Sequence, residues 1–175
     1  LWCYYNQADE VELFVNGKSQ GVRRKRNEHE YHVAWRVTFE PGEVRVVARK
    51  NGKQVNEKTI RTAGAPHHIQ LTPNRKVIKA NGRSLSFVTV EVVDKDGNLC
   101  PWAENKVLFS LTGDAKIAGV DNGSPFSLER FQANERRAFF GKCLVVLQAG
   151  KMPSTIQLTA KSVDLVPQTI EIKTE

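Results

Sequence analysis

Few residues in this 175-residue sequence have the types and spacing that catalysis or metal binding needs. The histidines fall in two groups, His29 and His32 in "EHEYH" and the adjacent His67 and His68. Since strand side chains alternate in direction, the members of each group face opposite sides and cannot jointly chelate a cation without distortion. We therefore interpret both groups as exposed polar strand positions and predict no metal site.

Acidic residues alternate in "DKDGN", from Asp94 to Asn98, as they do at the start of a calcium-binding loop. That loop requires glycine at its sixth position and glutamate at its twelfth, whereas Gly97 is fourth here. The segment is predicted to be a turn between strands. No nucleophile elbow, phosphate-binding loop, zinc-protease motif or dinucleotide fingerprint is found. The sequence thus predicts no catalytic residue and no cofactor.

The stretch "GVDNGSPFSLERF", from Gly119 to Phe131, is the remaining candidate for a site. Asp121 has no base, nucleophile or ligand set near it in the sequence. Asn122-Gly123 can adopt positive φ angles, and Pro125 ends strand pairing. We interpret the stretch as an ordered crossover that presents Asp121 and Arg130 to another domain. Three apolar residues are expected to pin it to the edge of the core: Phe126, Leu128 and Phe131.

Charge and hydropathy narrow the range of partners. The formal net charge is +7 and the pI about 9.5, with the densest basic run at Arg23–Arg26. No nucleic-acid-binding motif accompanies that run, so we interpret it as a solvated hairpin tip and predict no nucleic-acid partner. Apolar runs are too short for a membrane-spanning helix of ~20 residues, and no signal-peptide pattern begins the sequence.

The cysteines and tryptophans give two further expectations. Cys3, Cys100 and Cys143 are odd in number and far apart, so they form no disulfide framework and leave the compartment and their redox state open. Cys143 alternates in phase with apolar neighbours and is predicted to be buried. Trp35 is likewise predicted to be buried, whereas Trp102 lies in a polar connection and is a candidate for sugar contact.

The elements that must position these residues are strands. Alternation with a period of two recurs along the sequence, for example in "VELFV", "YHVAWRVTF" and "KCLVVLQ", and no helical stripe of twelve residues occurs. Five Asx-Gly pairs lie between or beside such segments and favour tight antiparallel hairpins. The sequence predicts an all-β protein made of two consecutive immunoglobulin-like antiparallel β-sandwich domains.

The turn-prone segment "TAGAP" is the expected domain boundary, because Pro66 cannot donate a hydrogen bond to a strand ladder. This gives a small accessory sandwich over residues 1–64 and an immunoglobulin-like sandwich over residues 65–175. The sequence begins without methionine inside a strand pattern, so we expect a piece cut from a larger protein. The cut would truncate the N-terminal edge of the first domain.

Two stretches resemble the C-terminal region of bacterial family-two glycoside hydrolases, the β-galactosidase group. "YNQADEVELFVNGKSQG", from Tyr5 to Gly21, and the later "HVAWRVTFEPGEVRVV" resemble the small β-domain that follows the catalytic barrel. The segment that begins at Gly64, and above all "GVDNGSPFSLERFQANERRAFFGKCLVVLQAG", resembles the terminal immunoglobulin-like domain. These matches cover nearly the whole chain in the family's order.

The resemblance implies that the parent hydrolyses β-galactosides or related glycosides through two barrel carboxylates, neither of which matches a residue here. This region would then be a non-catalytic tail that braces the barrel or mediates domain or dimer contacts. The resemblance also favours a periplasmic or extracellular location. Two alternatives stay open: an independent carbohydrate-binding module that uses Trp102, and an adhesin-like immunoglobulin repeat of a bacterial surface protein.

Overall fold

A computed structural model describes all residues from 1 to 175. Its regular secondary structure consists of strands, and it contains no helix long and apolar enough to cross a membrane. The chain divides into two compact units, Leu1–Thr62 and Ala63–Glu175, which are described separately. The prediction of an all-β chain built from antiparallel sandwiches is confirmed. The limits 1–64 and 65–175 for separately folding domains stay a prediction.

The first unit has six strands in two sheets, one of four strands in the order β3-β2-β5-β6 and one of two strands, β1-β4. Asn16-Gly17 and Asn51-Gly52 have positive φ at both residues and close the β2–β3 and β5–β6 hairpins, as the sequence predicted. The strands are β1 (Trp2–Tyr4), β2 (Glu10–Val15), β3 (Lys18–Arg23), β4 (His32–Ala34), β5 (Glu43–Lys50) and β6 (Lys53–Arg61).

The core of this unit contains residues from both sheets, with Leu13 of β2 and Val33 of β4 packed beside Trp35. Trp35 is buried as predicted, and its indole Nε1 donates a hydrogen bond to the carbonyl of Gly21 at 3.1 Å. The predicted long strand over residues 31–39 is wrong, because only His32–Ala34 pair with β1. The prediction failed because strand propensity does not make a strand where no partner strand lies alongside to accept its hydrogen bonds.

The second unit has nine strands in two sheets, ordered β11-β13-β9-β7 and β12-β10-β14-β15-β8. In order of appearance β7, β9, β11 and β13 correspond to immunoglobulin strands A, B, D and E, while β10, β14 and β15 correspond to C, F and G. The strands are β7 (His68–Pro73), β8 (Val77–Ile78), β9 (Leu85–Val93), β10 (Lys106–Thr112), β11 (Ala115–Asp121), β12 (Glu135–Arg137), β13 (Lys142–Ala149), β14 (Thr155–Lys161) and β15 (Gln168–Thr174).

The core of the second unit is formed by the inward-facing residues of both sheets, such as Val88 of β9 and Ile156 of β14. In β13 every second residue is buried, from Cys143 to Ala149, which confirms the predicted burial of Cys143. Burial raises the pKa of the Cys143 thiol to about 12. This thiol therefore belongs to the apolar core, and all three cysteines are free.

Candidate interdomain surface

The crossover predicted from the sequence is the segment between β11 and β12, residues 122–134. It starts with a tight turn in which the Asp121 carboxylate accepts hydrogen bonds from the N–H groups of Asn122, at 2.7 Å, and Gly123, at 3.2 Å. Gly123 has a φ of +69°, as expected for an Asx-Gly turn. Farther on, the carbonyl of Phe131 accepts the N–H of Val120 at 2.7 Å. The crossover is thus tied to the edge strand β11.

Arg136, on β12, lies beneath the crossover with only 1% of its surface exposed. Its guanidinium donates to the main-chain carbonyls of Val120, at 2.9 Å, and Glu129, at 3.2 Å, and to the Ser127 hydroxyl at 3.3 Å. The carboxylates of Asp121 and Glu129 lie 3.6 and 3.7 Å from it. A single buried cation therefore connects the end of β11 to the middle of the crossover, and its two terminal nitrogens have acceptors while its Nε has none.

The crossover exposes its large apolar side chains instead of burying them. Phe126 is 86% exposed and Leu128 100% exposed, so the prediction that these two pin the crossover to the core is wrong. Phe131 is also mostly exposed, but its ring lies 5.2 Å from the Arg136 guanidinium carbon. The crossover is therefore held by polar contacts. Arg136 binds the Ser127 hydroxyl and the Glu129 carbonyl, and the apolar side chains point outward.

We define the crossover surface as Phe126, Leu128, Arg130 and Phe131. Arg130 is exposed and forms no ion pair within the chain, so its charge is available to a partner. Asp121, the other predicted interface residue, bonds its own turn and lies beside Arg136, and its role at an interface stays a prediction. The role of Arg136 was not predicted from the sequence. The one available signal was that Arg136 lies between Glu135 and Arg137, so that in a strand its side chain points inward while theirs point outward. This signal can be used only if the three-residue strand β12 is recognised first.

A second exposed cluster surrounds Trp102, which the sequence marked for sugar contact. Trp102 is 85% exposed in the turn before β10, and its ring centroid lies 6.5 Å from that of Phe140. Phe140 in turn lies 4.4 Å from Phe139. Phe140 has a φ of +48° in the tight turn it forms with Gly141, a conformation that a bulky side chain rarely adopts. The structure therefore groups three aromatic residues and places one of them, Phe140, at a position whose backbone conformation favours asparagine or glycine.

The histidines lie differently from the sequence-based expectation. The Nδ1 atoms of His67 and His68 are 3.2 Å apart, so the prediction that these rings point away from each other is wrong. His67 precedes β7 and is not held in the alternation of a strand, which explains the error. His32 lies between Trp2 and Tyr4, with its ring centroid 5.1 Å from each. No group of three or more His, Cys, Asp or Glu side chains is arranged to hold a metal ion.

Asp94, from the calcium-like segment, organises the start of the second unit. Its carboxylate accepts hydrogen bonds from the N–H groups of Gly64, Asp96 and Asn98 and from the Asn98 side-chain amide. These bonds, the one from Gly64 foremost, hold the pKa of Asp94 well below its usual range. The segment is therefore a turn, as predicted, and its carboxylate fastens the segment around Gly64 to the loop after β9.

Comparison with known proteins identifies the family. The family model described as glycoside hydrolase family 2 C-terminal domain 5 matches residues 69–171, and a model of a domain of unknown function, DUF4982, matches residues 1–56. The chain belongs to glycoside hydrolase family 2, as a C-terminal region. The resemblance seen in the sequence is thereby confirmed.

Three relatives illustrate how much of a family-two enzyme the chain represents. It is 58% identical to the β-galactosidase BoGH2A of Bacteroides ovatus over 175 residues, which are 100% of this chain and 20% of that protein. A β-glycosidase structure from Bacteroides vulgatus aligns with a TM-score of 0.89 at 32% identity, covering 95% of this chain and 21% of the other. A family-two structure from Bacteroides cellulosilyticus gives 0.85 at 36%, covering 96% and 22%. The chain thus spans about a fifth of the relatives it matches.

Proposed function

We propose that this region is a non-catalytic accessory part of a β-galactosidase-like hydrolase and contacts the other domains of its parent through the crossover surface. The observation that carries the proposal is the outward exposure of Phe126 and Leu128 on a loop fixed by buried Arg136. Exposed clusters of large apolar residues mark interaction surfaces in soluble proteins. Arg130 adds an unpaired charge for recognition.

The rigidity of the crossover supports binding over a merely structural loop. Association costs less free energy when the contacting segment is already ordered, since fewer side chains and dihedral angles are fixed on binding. Arg136 supplies that order from beneath, with Asp121 and Ser127 at its sides. The crossover therefore has the two properties of an interface loop, a fixed backbone and an apolar outer face.

The parent's reaction is proposed from the family. A relative with the name β-galactosidase covers this whole chain, and the family resemblance implies hydrolysis of a β-glycoside with retention through two carboxylates. In that mechanism one carboxyl group protonates the leaving oxygen while the other attacks the sugar carbon, and water then releases the product. Both groups belong to the barrel of the parent, and this region contributes by bracing that barrel or by joining two copies of the enzyme.

The test is Leu128→Asp in the full-length parent, with Val163→Asp as the matched control, because Val163 is also exposed on a loop of the same unit. Loss of a buried leucine from a domain contact costs about 2 kcal/mol. We expect Leu128→Asp to lower the unfolding temperature of the parent and Val163→Asp to leave it unchanged. Equal behaviour of the two variants would refute docking through the crossover surface.

A second candidate function rests on Trp102 and Phe140, whose exposed rings suit the apolar face of a sugar. We propose glycan contact there as the alternative role. Affinity electrophoresis in gels that contain a β-galactan tests it. Retardation that disappears in Trp102→Ala but persists in Phe126→Ala supports sugar binding, and equal mobility with and without the glycan counts against it.

We further propose that residues 1–64 and 65–175 fold as separate domains. The contacts within Leu1–Thr62 and within Ala63–Glu175 form two compact sets, which supports the proposal. Calorimetry of the wild type and of Leu13→Ala, which removes a fully buried side chain of the first unit, tests it. Two transitions, of which only one moves in the variant, are expected. One transition that shifts as a whole would refute independent folding.

A further inference from the structure

Asparagine followed by glycine occurs at four places in the chain, and the four asparagine side chains are held very differently. The pairs are Asn16-Gly17, Asn51-Gly52, Asn81-Gly82 and Asn122-Gly123. Asparagine is chemically labile before glycine, because the glycine nitrogen is not shielded by a side chain and can attack the amide carbon of the asparagine. Whether a folded chain reacts therefore depends on how firmly it holds that amide and that nitrogen.

Two of the pairs lie in turns that bind both reacting groups. The Asn81 side-chain oxygen accepts two main-chain N–H groups, and the Gly82 nitrogen donates to a main-chain carbonyl at 2.8 Å. The Asn122 amide donates to the Arg137 carbonyl at 2.9 Å, and the Gly123 nitrogen donates to a carboxylate at 3.2 Å. In both pairs the reaction would first have to break hydrogen bonds at the amide and at the attacking nitrogen.

The remaining two pairs, Asn16-Gly17 and Asn51-Gly52, have the same local chemistry. Each is followed by lysine, and each forms the two-residue turn of a hairpin. The φ angles are alike, 48° and 79° in the first turn and 50° and 73° in the second. Neither glycine nitrogen donates a hydrogen bond. A difference in reactivity between these two pairs must therefore come from the surroundings of the asparagine side chain.

The side chain of Asn16 is held at both ends. Its amide nitrogen donates to the Pro41 carbonyl at 3.2 Å, and its oxygen accepts the N–H of Glu43 at 2.7 Å. The amide also packs against Gly42 so closely that a Cβ at that position would collide with it. Both hydrogen bonds must break before the amide carbon can approach the Gly17 nitrogen, so this pair is protected.

The side chain of Asn51 has none of these restraints. It is exposed and forms no hydrogen bond within the chain. Only the main-chain N–H of Asn51 is engaged, and it donates to the Asp9 carboxylate at 2.6 Å. The amide can therefore rotate towards the Gly52 nitrogen without losing any contact. Among the four pairs, this is the one in which the amide and the attacking nitrogen are both free.

We propose that Asn51-Gly52 is a modification site at which the chain loses ammonia and gains a carboxylate. The Gly52 nitrogen forms a bond to the side-chain carbonyl carbon of Asn51. The bond from that carbon to the amide nitrogen breaks, and ammonia leaves with the proton that the Gly52 nitrogen has lost. Water then adds to one of the two carbonyls of the resulting cyclic imide and opens it to aspartate or isoaspartate. This proposal is independent of the docking proposed for the crossover surface.

The modification is expected to loosen the tip of the β5–β6 hairpin. The new carboxylate lies close to that of Asp9, which now accepts the Asn51 N–H, and like charges so close together repel each other. In isoaspartate the main chain also gains a methylene group, which a two-residue turn cannot accommodate without changing its geometry. The pair Lys50 and Lys53, which flanks the turn, should therefore open more often.

Peptide mapping of the full-length parent tests the proposal. The folded protein is kept at mildly alkaline pH, and mass spectrometry follows the conversion of amide to acid at each of the four pairs. We expect Asn51 to convert about thirtyfold faster than Asn16, the factor that corresponds to two hydrogen bonds of ordinary strength. Conversion at any of the other three pairs that equals or exceeds conversion at Asn51 would overturn the proposal.

The same measurement in concentrated urea is the matched control. Asn16 and Asn51 both lie in the sequence Asn-Gly-Lys, so they should convert at equal rates once the fold is removed. A thirtyfold difference that persists in urea would contradict the proposal, because the local sequence and not the fold would then select the site.

Hydrogen exchange tests the consequence for the hairpin. The amides of Lys50 and Lys53 should exchange faster in the parent after this incubation than before it. In Asn51→Gly, which keeps a residue that tolerates positive φ but has no amide to lose, the incubation should change nothing. Exchange that is unaffected by conversion at Asn51, or that rises equally in Asn51→Gly, would refute the predicted loosening.

Discussion

Replacing Arg136 tests how the crossover is held. In Arg136→Ala the carbonyls of Val120 and Glu129 and the Ser127 hydroxyl lose a donor, and a cavity replaces a side chain that is 1% exposed. At about 1 kcal/mol for each of the three hydrogen bonds, their loss costs about 3 kcal/mol, and the cavity adds to it. The carboxylates of Asp121 and Glu129 are partly exposed and regain water, so we add nothing for them.

Urea unfolding of the second unit measures this loss, and Arg136→Met serves as the comparison. Methionine retains most of the buried volume but none of the donors, so we expect the hydrogen-bond loss of about 3 kcal/mol for Arg136→Met and a larger loss for Arg136→Ala, which also leaves a cavity. Exchange of the crossover amides should rise in both variants by more than exchange of the β9 amides, which follows global unfolding. A loss below about 0.5 kcal/mol, the size of an ordinary surface substitution, would refute the assigned role of Arg136.

Three further predictions concern single residues. Phe140→Asn should stabilise the second unit by about 1 kcal/mol, because asparagine tolerates the positive φ, and a lower unfolding temperature would contradict this. Burial raises the pKa of Cys143 to about 12 from an ordinary value of 9.0, so its contribution to stability is present below pH 9.0 and is lost as the pH rises towards 12. Above pH 9.0 the free energy of unfolding should therefore fall less steeply with pH in Cys143→Ala than in the wild type. An equal pH dependence of the two proteins would exclude a contribution from the thiol. The Gly64 N–H and its companions lower the pKa of Asp94, whose contribution is present above pH 3.8 and is lost on further acidification. Acid unfolding of Asp94→Asn should therefore depend less on pH than that of the wild type, and an equal dependence would refute this.

The strands were predictable where local chemistry agreed with the fold. Asn16-Gly17 and Asn51-Gly52 close hairpins because each pair accepts two positive φ angles, a property of the residues themselves. The alternation around Cys143 likewise reflects a strand with two partners and one buried face. The segment after Ala34 shows the opposite case, since its alternation is equally good but no neighbouring strand is present.

The candidate site was only partly predictable. The crossover itself follows from Asn122-Gly123 and Pro125, but its anchor does not, since Arg136 in sequence is one arginine of an adjacent pair. Its burial depends on acceptors from residues up to sixteen positions away, including the Val120 carbonyl. Hydrophobicity also gave the wrong position for Leu128, which is apolar yet completely exposed, because its neighbours bind Arg136 below the loop, Ser127 through its hydroxyl and Glu129 through its carbonyl.

The central claim is that the crossover surface contacts the rest of the parent enzyme, and hydrogen exchange of the full-length parent tests it most directly. Peptides that cover residues 122–134 should exchange more slowly in the parent than in the 175-residue chain, while peptides from Leu85–Val93, in the core strand β9, exchange equally in both. Equal exchange of the crossover peptides in the two proteins would contradict the claim.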